Sequence, residues 1–154
     1  MKIKNIIIPV LCGLMFSSCA GLSKIAEEVM PLSKRLISEN SVIRQAAVAE
    51  FIESDEDKKK KTVLEIIEMF AMEKDEAKRK RMLSVLIDLK TGSYAVIPLL
   101  QAAGRNVNIT SAGDIVEAIK KMKPSAEDIN RMGVMFMDGA DIIKKIVMHF
   151  LGRF

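Results

Sequence analysis

Apolar residues recur at spacings of three and four along much of the chain, and acidic or hydroxyl residues punctuate the recurrence. Val63, Ile66, Ile67 and Phe70 fall on one face of a helix whose other faces carry lysine and glutamate. Leu83, Leu86 and Leu89 form the next stripe, and Ala46, Ala49 and Ile52 mark the core face of the helix before them. Residues 40–104 therefore predict two helical hairpins, 42–52 paired with 62–72 and 82–89 paired with 95–103, with Pro98 marking the outset of the last helix. Ser54-Asp55-Glu56-Asp57 is a Ser-x-x-Asp capping box, and Asp75-Glu76 restarts the cycle, each placing acidic groups at a positive helix end.

A third unit follows. Ser111-Ala112-Gly113-Asp114 is another capping box, Ile115, Ala118, Ile119 and Met122 share a face, and Pro124 ends the helix. Ser125-Ala126-Glu127-Asp128 caps the next, and a broad stripe of Ile142, Ile143, Ile146, Val147, Phe150 and Leu151 closes a core or meets a partner. Gly133 and Gly139 permit kinks or close helix contacts. A shift of 37 residues superposes Ala46, Ala49 and Ile52 on Leu83, Leu86 and Leu89, whereas a shift of 35 superposes Ala47 on Met82 and Phe51 on Leu86. Two-helix units with periods in the thirties predict an all-α protein, a short α-solenoid of about three hairpins. An irregular helical bundle is the alternative.

Val42-Ile43-Arg44-Gln45-Ala46-Ala47 is similar to the arginine-then-alanine opening of a HEAT repeat, and residues 86–100, with Ala95-Val96-Ile97-Pro98-Leu99, resemble its turn and second helix. The second unit departs from that pattern by opening on Lys78-Arg79-Lys80-Arg81. The resemblance implies a protein-binding scaffold without catalysis of its own.

The first residues follow a different rule. A basic start with Lys2 and Lys4, an apolar run over residues 6–16 and the small residues after it have the form of a secretory signal, and the run is too short to span a bilayer. Phe16-Ser17-Ser18-Cys19 resembles a bacterial lipobox, although Phe16 stands where leucine is usual. That resemblance implies a signal peptide over 1–18 and lipidation of Cys19. With Ala20 in place of aspartate, the resemblance also implies sorting to the periplasmic face of the outer membrane if the host is Gram-negative. More than one acyl chain gives stable anchoring. Cys12 would leave with the signal, so no disulfide is required.

Residues 19–39 then form an anchored segment and a capping helix, interrupted at Pro31, and 40–154 form the repeat domain. An amphipathic helix lying on lipid is the rival reading of Leu22, Ile25, Ala26, Val29 and Met30.

Composition narrows the function. Hydrophobic residues make up 49% and charged residues 29% of 154, which is globular, and the low aromatic content with 11 methionines suits a helical core of adaptable side chains. Net charge is +4, and without Lys2 and Lys4 it is +2, too even a balance to predict nucleic-acid binding. The single histidine, His149, has no partner spaced for a triad or a zinc site, and no phosphate loop or nucleophile elbow is present. Neither an enzyme nor a cofactor is expected.

Two candidate surfaces remain. Met132 and Met135, three apart on a helix, with Met148 from the last helix, are soft ligands suited to Cu(I), though core filling is the simpler role for methionine. Lys58, Lys59, Lys60 and Lys61, with Lys78, Arg79, Lys80 and Arg81, form a basic rim for anionic lipid or an acidic partner, partly cancelled by neighbouring acids. The expected function is a membrane-anchored envelope lipoprotein acting as a protein–protein interaction adaptor, with membrane and an unidentified protein as partners. An envelope ligand- or metal-binding protein and an exclusion- or immunity-type inhibitor are the alternatives.

Overall fold

The computed structural model describes residues 29–105, 112–138 and 141–152. Cys12, Cys19, the signal segment and Ser111 lie outside the described residues, as do Gly139, Phe154 and the side chains of Ile142, His149, Phe150 and Leu151. Among the described residues the structure is all-α, with eight helices: α1 (Leu32–Leu36), α2 (Ser41–Glu53), α3 (Glu56–Met72), α4 (Glu76–Asp88), α5 (Gly92–Arg105), α6 (Ala112–Met122), α7 (Ala126–Asp138) and α8 (Asp141–Leu151).

Side-chain caps start several of these helices. Asn40 accepts the Val42 amide at 2.9 Å to open α2, and Asp75 accepts that of Lys78 at 3.1 Å to open α4. At α7 the expected box is complete: Ser125 Oγ accepts the Asp128 amide at 3.1 Å while Asp128 accepts the Ser125 amide at 2.9 Å. At α3 the cap lies one residue beyond its expected place. Asp55 accepts the Lys58 amide at 2.7 Å, while Ser54 closes α2 by donating its hydroxyl to the Glu50 carbonyl at 2.7 Å.

The proline-marked helix also differs. α5 begins at Gly92, six residues before Pro98, because Thr91 organises the turn: its hydroxyl donates to the Leu86 carbonyl at 2.8 Å and its own carbonyl accepts the Tyr94 and Ala95 amides. Pro98 thus sits inside the helix, where it offers no N–H to the Tyr94 carbonyl.

The stripes of α3 and α6 are buried as expected, and so are Ile143, Ile146 and Val147 of α8. α2 is turned the other way. Ala46, Ala49 and Ile52 face solvent, Ile52 being 65% exposed, and Ala47 and Phe51 enter the core. The buried pairs Ala47/Met82 and Phe51/Leu86 therefore follow the 35-residue shift.

Helices pack on alternate partners as well as on their neighbours. α3 on α5 is the most extensive contact, joined by α1 on α3, α4 on α6, α5 on α7 and α6 on α8. α2 rests chiefly on α1, so its expected pairing with α3 is minor, and α4 touches α5 only slightly. α5 is the hub. It meets α3, α4, α6, α7 and α8, and Ala95, Val96, Leu99, Leu100, Ala102 and Ala103 are all buried. Its first residue must be small, since a Cβ on Gly92 would stand 2.4 Å from the Met122 carbonyl oxygen.

Candidate interaction surface

Half of the predicted basic rim is engaged with acids. Lys58 pairs with Glu50 at 3.0 Å, Lys59 with Glu56 at 3.3 Å, Lys80 with Glu76 at 2.7 Å and Arg81 with Glu39 at 3.0 Å. Glu50 also receives Arg35 at 2.6 Å, so one carboxylate joins α2 to residues on α1 and α3. Hydrogen bonding to Lys58, and then to Arg35, holds its carboxyl below the usual range.

Arg79 is not part of any rim. It is 8% exposed, and its guanidinium donates to the Glu73 carbonyl at 3.4 Å. A periodic reading finds it: Arg79, Met82, Leu83 and Leu86 share one face, so one member of the four-residue basic run must turn inward. Its long apolar stem suits that position.

What the sequence did not signal is a groove beside these residues. A depression of about 630 Å³ lies between the start of α1 and the outer face of α3, lined by Ser33, Leu64, Met69 and Met72 among others. A second, of about 710 Å³, continues past Met30 and Ile37 to Met82 on α4. The two share Lys34, Met69 and Met72 and so read as one groove. Its apolar lining is open to solvent, Met72 being 73% exposed. α1 and α3 meet across the 19 residues between Leu36 and Glu56, so no local pattern announces their seam.

The acids along the groove are mostly committed. Ser33 Oγ donates to Glu65 at 2.7 Å, Arg105 pairs with Glu68 at 2.7 Å, and Arg81 holds Glu39. Glu73 accepts the backbone amides of Asp75 at 3.0 Å and Lys74 at 2.9 Å, chiefly the former keeping its carboxyl below the usual range. Lys34, Lys60, Lys61 and Lys78 form no ion pair among the described residues. The Lys78 ammonium helps to lower the carboxyls of Glu73 and Asp75 through its field.

The candidate soft ligands occupy different environments. Met132 is fully buried in the core, Met135 is half-buried against it, and Met148 is 58% exposed. Among the described residues, no cluster of three or more histidine, cysteine, aspartate or glutamate side chains could hold a metal ion, and no helix is long and apolar enough to cross a membrane. No protein-family model, characterised protein or solved structure matches the chain.

Proposed function

We propose that this protein is a membrane-anchored envelope lipoprotein that serves as a protein–protein interaction adaptor, its helices arranged as a short solenoid of about three HEAT-like hairpins. The observation that carries the adaptor reading is the open apolar groove along α3, bordered by lysines that the fold leaves without ion pairs. A folded chain gains nothing by exposing such a surface, which is the usual mark of an interaction site. The alternate-helix packing supports the solenoid reading, because stacked units place each helix against its counterpart in the next unit. The 35-residue shift followed by the buried side chains of α2 and α4 supports it too.

The anchor rests on the lipobox-like run ending at Cys19. Cys19 and Val29, where the described fold begins, are ten positions apart, and a fully extended stretch of that length spans about 35 Å at most. A lipidated Cys19 would thus keep the groove close to the bilayer. Replacing Cys19 by Ala is expected to move the protein from the membrane fraction to the soluble one. Retention of the variant on membranes without detergent would remove the anchor.

A further inference from the structure

The fold sorts its methionines by access to solvent. Met82, Met122 and Met132 are buried, whereas Met72 is 73% exposed and Met137 and Met148 are exposed on α7 and α8. A thioether reacts with two-electron oxidants according to that access, because the oxidant must reach the sulfur lone pair.

Met72 differs from the other exposed methionines in its setting. It is the last residue of α3 and lines both depressions of the groove, and Met137 and Met148 take no part in that lining. Among the large apolar side chains of the groove it is the most open, against 38% exposure for Met30 and 36% for Leu64. The apolar character of the groove therefore depends on this one thioether more than on any neighbour. Lys34 borders the same two depressions and forms no ion pair among the described residues. Its ammonium gives the lining a hydrogen-bond donor for an oxygen added at Met72.

We propose that Met72 is a reversible oxidation site, at which hydrogen peroxide turns the most exposed apolar side chain of the groove polar. The sulfur attacks one peroxide oxygen, and the S–O bond forms as the O–O bond breaks. Sulfur gives up two electrons, the proton of the transferred oxygen passes to the departing hydroxide, and water leaves. The product is a sulfoxide, polar and chiral, which methionine sulfoxide reductases return to the thioether. Because Met72 stands at the open end of α3, the change alters the groove without opening the core that holds Met132. The inference goes beyond the adaptor reading, since it concerns the free chain and requires no partner.

The test treats the full chain, in phosphatidylcholine nanodiscs, with hydrogen peroxide and follows each methionine by peptide mapping. Met72 is expected to gain oxygen as fast as Met137 and about tenfold or more faster than Met82 and Met132. Carbene footprinting with a water-soluble alkyl diazirine then reads the polarity of the groove residue by residue. Labelling at Leu64 and Met69 should fall as Met72 is oxidised and return after treatment with the reductases. M72L keeps the apolar surface without the reactive sulfur, so its labelling should start high and stay high in peroxide. M137L should respond as the parent does. Oxidation of Met72 no faster than that of Met132 would overturn the proposal, because the sulfur would then be reached only through unfolding. Full oxidation of Met72 with unchanged labelling, an undiminished fall in M72L, or failure of the reductases to restore the parent would each overturn it as well.

Discussion

Glu50 shows how one residue can carry more than its share of a small fold. Its two oxygens separate the duties, one receiving Arg35 at 2.6 Å and the other Lys58 at 3.0 Å, and together they depress its carboxyl. A carboxyl with a lowered folded-state value contributes fully above the ordinary glutamate range and loses that contribution as pH falls through the lower value. Stability is therefore expected to decline below about pH 4.3, and E50Q should flatten that part of the profile. The side chain is partly exposed, so the loss at neutral pH is at most about 1 kcal/mol. Urea unfolding followed across acid pH measures it. A variant profile as steep as the parent's would assign the acid sensitivity elsewhere.

At the scale of elements, contrast decides what can be read. α3 alternates lysine and glutamate against Val63, Ile66, Ile67 and Phe70, so its buried face was evident in advance. α2 has apolar residues on every side, from Val42 to Ile52, and periodicity alone selected the solvent face. Its true face lies on Ala47 and Phe51, chosen by tertiary packing outside the helix itself. Phe51→Ala should accordingly cost about 3–5 kcal/mol and Ile52→Ala less than about 0.5, by thermal or denaturant unfolding. The reverse order would restore the alternative face. The groove was illegible for the same reason: its lysines and methionines were visible, but the seam between α1 and α3 that gathers them was not.

α5 and α6 show an equally specific demand. Gly92 opens α5 where the backbone closing α6 comes within 2.4 Å of a prospective Cβ, and a carbonyl oxygen cannot swing aside as a side-chain tip can. Gly92→Ala is expected to destabilise by about 1–3 kcal/mol. Gly104 differs, since its added Cβ would meet the flexible end of Ile143 at 2.5 Å. An unfolding midpoint unchanged in the Gly92 variant would mean that the two helix ends separate without cost.

For the whole molecule, the decisive fact is that α5 touches helices on both sides of it in the chain, while α2 leans mainly on the short α1. A regular array in which each unit knows only its neighbours can unravel stepwise from either end. Here a single buried strut is shared, so its release requires the loss of most of the core at once. Native-state hydrogen exchange should make that hierarchy visible: amides of α2 open by local fluctuations, whereas those of α5 exchange only through global unfolding and share its denaturant dependence. The central helix would then set the cooperativity of the molecule, and α2, which leans chiefly on the short α1, would be the edge that opens first.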